Sequence, residues 1–259
     1  MSWVSLRVDP DDEPGGGIVR VPAHVNGRAI EAVLDTGAAS STLPASAGIA
    51  GLPAVRRSSS GTAFGRHTSD RVTVQSLVFG GIEHGPLVVE RDPGETSLVG
   101  LDVLGRHRLH LDLDAGRLGL DEGDHVGHLH VLELGRNGHP HLTLHWGDAV
   151  SAYAVLDTGA SVTVADSGFA RRNPALFKEV GASQGTDAAG VRQDGQVYTV
   201  AGPTIEGLEF AAHTAAVVDL GFVNDGAERP VDLIVGYPLL RQAIWTLDLS
   251  EGTWAARLR

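Results

Sequence analysis

The stretch "AVLDTGAAS", from Ala32 to Ser40, decides the fold because a near copy, "AVLDTGAS", runs from Ala154 to Ser161. In both copies three apolar residues lead into an aspartate, and a glycine two positions later permits a sharp turn. A single Asp-Thr-Gly is a common turn after a strand. Two copies with identical preceding residues indicate an internal repeat, so the rest of the chain is examined for two copies of one unit.

The residues around the two motifs repeat in the same order. Before each motif lie two strand-like segments joined by a polar turn, Asn26-Gly27 in the first half and Gly147-Asp148 in the second. Asn-Gly between alternating residues is a strong hairpin signal. After each motif comes an apolar run that ends in glycine, Leu98-Val99-Gly100 and Ile234-Val235-Gly236. Each half then closes with a strand, a turn and a strand.

We therefore predict two copies of one unit. Residues 1–124 form an N-terminal lobe with the first Asp-Thr-Gly, and residues 125–259 form a C-terminal lobe with the second. The acidic, glycine-containing segment Asp121–Gly127 is the expected linker. "DLDAG" at Asp112 is interpreted as a hairpin turn rather than a calcium loop, since Asp248–Gly252 fills the same place in the second half.

Composition favours an all-β class. Only 5% of the 259 residues are aromatic, 42% are hydrophobic, and 34 are glycine, which suits many short strands joined by tight turns. We expect two lobes of closed, barrel-like β-structure packed around a pseudo-twofold axis. Short helices are predicted at Val103–Arg108, Pro174–Val180 and Pro238–Ala243.

Charge and missing residue types exclude several classes of function. The net charge of −12 argues against a nucleic-acid partner, because phosphate would be repelled. The absence of cysteine excludes disulfides and thiolate metal sites. Neither a signal peptide nor an apolar run of membrane-spanning length is recognisable. We expect a cytoplasmic protein with no membrane partner.

Two aspartates at equivalent places near a twofold axis can form a catalytic pair. Like charges a few ångströms apart cannot both ionise cheaply, so Asp35 and Asp157 would share one proton. One carboxylate could then accept a proton from water while the other donates one to a carbonyl oxygen. The neighbouring residues would support the pair through hydroxyl groups that bond across the axis and through backbone N–H groups at the turn: Thr36, Thr158, Gly37 and Gly159.

With these pieces the chain resembles the aspartic proteases of pepsin and retroviral-protease type. The resemblance rests on the two Asp-Thr-Gly motifs and the two apolar runs that end in Gly100 and Gly236, and it extends from about Gly17 to the end of the chain. The short halves favour the retroviral branch. The resemblance implies a single-chain, retropepsin-like aspartic endopeptidase with the acid-protease fold. It further implies a peptide or protein substrate, no cofactor, no metal, and a monomer that contains an internal pseudo-dimer.

The same resemblance predicts two flaps over the substrate, Ser58–Ser69 and Ser183–Gly195. The flap residues expected to bind substrate are Gly61, Thr62, Phe64, Gly65, Gly185, Thr186 and Gly190. The terminal segments Trp3–Val8 and Trp254–Leu258 are expected to interleave with Leu118–Leu120 and Leu129–Leu134, where viral protomers form their dimer sheet.

The sequence departs from the family pattern in its first motif. The first motif reads as having one extra small residue compared with the second. Ala38 and Ala160 occupy positions where a hydroxyl would hydrogen-bond the ionised aspartate and lower its pKa. We therefore expect activity that extends closer to neutral pH than that of pepsin.

Two alternative hypotheses remain open at this point. A catalytically silent peptide-binding module could keep the cleft without turnover, although the complete pair of aspartates argues against it. A metal site could recruit some of the twelve histidines, but no His-Glu-x-x-His helix is present. Solvated or core histidines are favoured for the clustered positions His128, His130, His139, His141 and His145.

Overall fold

The computed structural model describes residues 3–61, 66–92, 94–121, 123, 125–135, 137–186, 192–225, 227 and 229–259. The strands of the first half are β1 (Trp3–Ser5), β2 (Arg7–Pro10), β3 (Gly17–Val25), β4 (Arg28–Leu34), β5 (Thr42–Pro44), β6 (Ala54–Gly61), β7 (Arg66–Val74), β8 (Leu77–Phe79), β9 (Ile82–His84), β10 (Leu87–Asp92), β11 (Leu98–Val99), β12 (Arg108–Asp112) and β13 (Arg117–Leu120). Those of the second half are β14 (His130–Val131), β15 (Glu133–Leu134), β16 (Pro140–Trp146), β17 (Val150–Leu156), β18 (Thr163–Asp166), β19 (Phe177–Thr186), β20 (Arg192–Val200), β21 (Thr204–Ile205), β22 (Leu208–Glu209), β23 (His213–Val218), β24 (Leu233–Val235), β25 (Ala243–Asp248) and β26 (Thr253–Leu258).

Two ten-stranded sheets have the same strand order. The first-lobe sheet runs β6-β7-β10-β5-β11-β4-β3-β8-β9, with β2 added beside β3. The second-lobe sheet runs β19-β20-β23-β18-β24-β17-β16-β21-β22, with β15 added beside β16. Each strand of the first sheet thus corresponds to the strand of the second sheet whose number is thirteen higher, for example β4 to β17. The predicted all-β class is confirmed.

The hairpin turns form at the residues that were predicted to form them. The β3–β4 hairpin pairs Val25 with Arg28 across Asn26-Gly27, both of which have positive φ angles, as a tight hairpin turn requires. In the second lobe, β16 pairs with β17 across a turn that begins at Gly147, also with positive φ. These hairpins form the strands that end at the two Asp-Thr-Gly motifs.

A six-stranded sheet joins the lobes in the order β1-β13-β12-β25-β26-β14. It contains residues of all four segments predicted to interleave, although β2 and β15, which cover the remainder of two of them, belong to the lobe sheets. The strands of the two halves do not alternate. Each half contributes a three-stranded block, and the blocks meet where β12 pairs with β25. The reason is local: turns that begin at Asp112 and Asp248 fold each closing hairpin back on itself, and both aspartates accept a backbone N–H three residues on.

The core lies on the inner faces of these sheets. Strand β3 alternates between buried and more exposed residues, with Val19, Val21 and Val25 fully buried. Trp245 and Leu247 of β25 bring the joining sheet into the same apolar cluster. Full burial of one such side chain stabilises the fold by about 1.5–3 kcal/mol. One continuous core therefore holds both lobes.

Helices are few and short: α1 (Leu101–Leu104), α2 (Ser167–Arg172), α3 (Gly221–Asn224) and α4 (Tyr237–Leu240), with 3₁₀ turns at Ala45–Ala47 and Pro174–Leu176. The helices predicted at Val103–Arg108 and Pro238–Ala243 are found only in part. They begin earlier, directly after Gly100 and Gly236, and end at Leu104 and Leu240, because Arg108 and Ala243 already start β12 and β25. The helix predicted at Pro174–Val180 is wrong beyond its first turn, because Phe177 already starts β19 and pairs with Val200. No helix in the described part of the chain is long and apolar enough to cross a membrane.

Candidate active site

The two aspartates lie at the ends of equivalent strands. Asp35 directly follows β4, and its backbone N–H donates to the carbonyl of Val99 in the parallel neighbour β11 (3.1 Å). Asp157 follows β17 and donates in the same way to Val235 in β24 (3.0 Å). The preceding residues, Leu34 and Leu156, are fully buried. Both acidic side chains are therefore carried by rigid strand ends rather than by loops.

Gly100 and Gly236 explain why each apolar run ends in glycine. A Cβ atom on Gly100 would lie 2.8 Å from the carbonyl oxygen of Ala38, and one on Gly236 would lie 2.7 Å from that of Ala160. Any side chain here would push the Asp-Thr-Gly turn out of place. The run packs behind the motif and leads into a short helix, as the resemblance implied.

The two motifs align without a gap. The backbone N–H of Gly100 donates to Ser41 Oγ (3.1 Å), and that of Gly236 donates to Thr163 Oγ1 (3.3 Å). Ser41 and Thr163 each lie six residues after their aspartate. The prediction of an extra residue in the first motif is therefore wrong. Ala39 corresponds to Ser161 and Ser40 to Val162, so the two motifs differ by substitutions and not in length.

The structure brings Asp35 and Asp157 together. Their carboxyl groups lie within hydrogen-bonding reach of each other. Each turn also lies against the opposite carboxyl group. A Cβ atom on Gly37 would lie 2.7 Å from Oδ1 of Asp157, and one on Gly159 would lie 2.8 Å from Oδ1 of Asp35. Neither glycine has a positive φ, so close approach rather than turn geometry requires glycine here.

Four hydrogen bonds between the lobes connect the two turns. Thr36 Oγ1 donates to the carbonyl of Leu156 (2.8 Å) and accepts from the N–H of Thr158 (3.0 Å). Thr158 Oγ1 donates to the carbonyl of Leu34 (2.7 Å) and accepts from the N–H of Thr36 (3.1 Å). Both threonines are buried. The predicted bonding of these hydroxyls across the axis is present and fully reciprocal.

Backbone N–H groups orient the carboxyl groups. Gly37 donates to Oδ1 of Asp35 (2.9 Å), and Gly159 donates to Oδ1 of Asp157 (2.8 Å). Burial raises the pKa of Asp35 well above its usual range, and the charge of Asp157 raises it further. Burial also raises the pKa of Asp157, while the hydrogen bonds from Gly159 and from Asp35 oppose that rise. The pair therefore favours one shared proton over a wide pH range.

His139 is the residue near the pair that sequence reasoning assigned to no function. It is half-buried at the start of the second lobe. Burial and the neighbouring His141 lower the pKa of its ring, while the Asp157 carboxyl group and the Gly37 carbonyl raise it. Its neighbour His141 stacks on Tyr153 at 4.6 Å between ring centroids. No pattern in the sequence marks His139, because its approach to Gly37 depends on how the two halves pack.

The flap predictions can be checked only in part. Strands β6 and β7 form one antiparallel hairpin and β19 and β20 form another, each with a bulge near its base. Gly61, Gly185 and Thr186 lie at the far ends of these strands, and their substrate-binding role stays a prediction. The other expected flap residues, Thr62, Phe64, Gly65 and Gly190, lie outside the described residues.

The other histidines of the predicted cluster pack against neighbouring rings or lie at the surface. His130 stacks on Trp254 at 4.9 Å, and His128 packs edge-on against His130. His145 is exposed on β16. Within the described ranges, no group of three or more metal-ligating side chains is arranged to hold a metal ion.

Comparison with known proteins bears on the first half of the chain. Residues 21–106 match the family model described as gag-polyprotein putative aspartyl protease. The matched segment includes Asp35 and the run that ends in Gly100, and it stops before the second motif. No curated protein matches the chain. The match confirms the predicted resemblance to retropepsin-like aspartyl proteases over this segment.

Proposed function

We propose that the protein is an aspartic endopeptidase whose catalytic residues are Asp35 and Asp157. The observation that carries this proposal is the close approach of two carboxyl groups from different halves of the chain, of which that of Asp35 is buried and that of Asp157 is partly buried. Buried acids that share a proton are suited to proton transfer in both directions. The Thr36 and Thr158 hydroxyl bonds hold this arrangement and support a role beyond simple folding.

The mechanism follows from the shared proton. The ionised carboxylate accepts a proton from a water molecule held between the two acids, and that water attacks the peptide carbonyl carbon. The protonated carboxyl group donates its proton to the carbonyl oxygen, which gives a tetrahedral diol. The N–H groups of Gly37 and Gly159 keep each carboxyl group in a fixed orientation through both transfers. No covalent enzyme intermediate and no cofactor are needed.

The substrate in this proposal is an extended peptide that crosses the pair as a β-strand. Main-chain hydrogen bonds would supply affinity, and alternate side chains would supply specificity. The β6–β7 and β19–β20 hairpins are the proposed flaps. We further propose that the protein acts as a monomer in the cytoplasm, with residues 1–124 and 125–259 as its two lobes.

Activity should extend closer to neutral pH than that of pepsin. Burial raises the pKa of both carboxyl groups, and Ala38 and Ala160 contribute only backbone N–H groups to them, with no side-chain hydroxyl. A pH–rate profile confined below about pH 4, near the unperturbed pKa of Asp, would contradict this expectation.

The test compares wild type with Asp35→Asn and Asp157→Asn on a mixed peptide library at several pH values. Either substitution should reduce cleavage by at least about a thousandfold, as expected when one member of an acid–base pair is lost. Asp148→Asn, at an exposed turn, is the matched control and should cleave at the wild-type rate. Circular dichroism would show that all four proteins are folded.

The outcomes separate the proposal from its rival. Cleavage that persists at full rate in Asp35→Asn would remove the pair from the mechanism. Binding of peptides or pepstatin by wild type without cleavage at any pH would favour a silent peptide-binding module of the same fold.

A further inference from the structure

Arg71 joins three segments of the first lobe. It lies on β7, the second strand of the β6–β7 hairpin, and its Nε donates to Ser58 Oγ on β6 (2.9 Å). Its Nη2 donates to Ser40 Oγ (3.1 Å) and to Glu90 Oε1 on β10 (2.5 Å). Ser40 follows Asp35 by five residues, in the segment between that acid and β5. These bonds, from one guanidinium group to the hairpin, the neighbouring strand and the Asp35 turn, form the Arg71 bridge.

The surroundings hold the Arg71 bridge in place. The side chain of Arg71 is 16% exposed and that of Glu90 is 6% exposed. Glu90 also accepts from Ser69 Oγ on β7 (3.0 Å), and its backbone N–H donates to the carbonyl of Ser41 (3.0 Å). Hydrogen bonds with one charged partner are roughly twice as strong as neutral ones. A planar guanidinium group, with its donors in a fixed fork, suits acceptors on three different segments.

The residue after Ser40 continues the connection to the strand end behind Asp35. Ser41 donates to Asp102 Oδ1 through its N–H (2.9 Å) and through its hydroxyl group (2.7 Å). Its Oγ accepts from the N–H of Gly100 (3.1 Å), the glycine that packs against the Asp35 turn. The position of the β6–β7 hairpin is therefore coupled to that of the turn through a continuous series of hydrogen bonds.

The second lobe lacks the Arg71 bridge. The three positions that match Ser40, Arg71 and Glu90 carry aliphatic side chains, which have no hydrogen-bond donor or acceptor: Val162, Val197 and Ala216. The symmetry of the two turns does not require the bridge, because the second turn has the same form without it. We therefore looked for its purpose in the hairpin that it holds.

We propose that Arg71 is a positioning residue that fixes the β6–β7 hairpin to the Asp35 turn, so that a peptide bound by the hairpin is held in register with the catalytic pair. The inference rests on the proposed function, since it takes this hairpin as a substrate-binding flap. A hairpin that is already fixed loses little conformational freedom when a peptide binds, and the ordering that is avoided contributes to affinity. Removing the bridge should therefore weaken peptide binding more than it slows the chemical step.

The mildest test is Ser40→Ala, which removes the bond to the turn and leaves the ion pair of Arg71 and Glu90 intact. The KM for peptide and the Kd of pepstatin, measured by calorimetry, should each rise about three- to tenfold, while kcat stays within about twofold of wild type. Ser46→Ala is the matched control. It removes an exposed bond to Glu95 in the same lobe (2.7 Å) and should change none of these values.

Two further variants separate positioning from stability. Arg71→Lys keeps a positive charge beside Glu90 but cannot reach the three acceptors with a planar fork, so KM should rise by about tenfold. Arg71→Val/Glu90→Ala leaves neither charge buried alone and should show the same rise in KM. A protein that is only less stable would have a smaller active fraction, which lowers the apparent kcat and leaves KM unchanged.

Hydrogen exchange followed by mass spectrometry gives a readout that needs no turnover. In Ser40→Ala and Arg71→Lys, the amides of β6 and β7 should exchange at least about fivefold faster than in wild type, because the hairpin opens locally at a lower free energy. The amides of β19 and β20 in the second lobe should keep their wild-type rates.

The results distinguish failure of the inference from failure of the proposed function. Wild-type exchange rates for β6 and β7 in both variants, or a loss confined to kcat with unchanged pepstatin affinity, would overturn the role of Arg71. Faster exchange in the variants of a protein whose wild type cleaves no peptide would overturn the peptidase proposal and leave the positioning role standing.

Discussion

The two lobes are nearly identical where they meet and differ away from that contact. At the axis, Asp35, Thr36 and Gly37 repeat the hydrogen bonds of their counterparts Asp157, Thr158 and Gly159. On strands β7 and β10 the agreement ends. Arg71 and Glu90 form a largely buried ion pair at 2.5 Å in the first lobe, whereas the same register positions in the second lobe are Val197 and Ala216.

This difference shows that the contacts at the axis have to be made by both lobes, whereas the contacts away from it do not. Contacts at the axis are reciprocal, so a change in one half disturbs the other half directly. Contacts away from the axis are satisfied within one lobe, so each lobe can solve them in its own way. In the first lobe Arg71 also donates to Ser40 (3.1 Å), and the matching residue in the second lobe is the buried Val162. Polar residues in one lobe thus stand where the other lobe has apolar residues.

The largest expected effect follows from breaking the ion pair found in the first lobe alone. Arg71→Val removes the guanidinium group that bonds the buried carboxylate of Glu90, although Ser69 still donates to that carboxylate. The change should cost about 3–4 kcal/mol in the free energy of unfolding. Arg71→Val/Glu90→Ala installs the pair of the second lobe and should recover at least half of this loss. Urea titration measures both values.

Arg57→Val is the matched control, because Arg57 lies on a neighbouring strand with its side chain 79% exposed. It should change stability by less than about 0.5 kcal/mol. A double variant as unstable as Arg71→Val would show that the first lobe cannot accept the valine and alanine that the second lobe has at these positions.

The next effect tests the agreement at the axis. Gly37→Ala and Gly159→Ala each place a methyl group against the carboxyl group of the other half, and each should lower kcat by about a hundredfold or more. Peptide cleavage assays would measure this. Gly51→Ala is the control, since a Cβ atom there meets nothing within 4 Å. A large loss for only one of the two variants would contradict the symmetry of the site.

Removing the threonine hydroxyls should have a smaller effect. Thr36→Val and Thr158→Val each abolish two buried hydrogen bonds and leave a backbone N–H and a carbonyl unpaired, at a cost of about 2–3 kcal/mol. The two losses should agree within about 0.5 kcal/mol in urea unfolding. Thr→Ser variants keep the hydroxyl and should retain most of the stability. A difference of more than about 1 kcal/mol between the two valine variants would show that the two hydroxyls contribute unequally to the free energy of unfolding.

The smallest predicted effect is a pH dependence found in the second lobe. His213 is buried, and burial lowers its pKa to about 4, while the equivalent residue of the first lobe is the buried Leu87. An unfolded chain binds the proton near pH 6.5, so folding stability is fully present above that pH and falls as the pH is lowered. The loss from pH 7 to pH 5 should reach about 2 kcal/mol at most.

His213→Leu installs the residue of the first lobe and should flatten the dependence by that amount. Its former partner, the carbonyl of Ala211, still accepts from Gln242. Thermal or urea unfolding at the two pH values checks the result. An unchanged slope would assign the acid sensitivity to other buried histidines, such as His84 and His110.

The sequence allowed prediction of the parts that depend on local pattern. The doubled motif led to the facing aspartates and the bonded threonines, and Asn26-Gly27 led to its hairpin. What it could not supply depends on packing. The need for glycine at position 37 comes from a carboxyl group 120 residues away. The β12–β25 pairing depends on which face each block presents, and Phe177 is strand rather than helix because β20 offers it a partner.

Joining the two copies in one polypeptide has a genetic consequence. In an assembly of two identical subunits every codon is read into both sides of the site, so no substitution can alter one acid alone. Here a mutation at position 38 leaves position 160 untouched. Selection can therefore change the surroundings of one aspartate without changing those of the other.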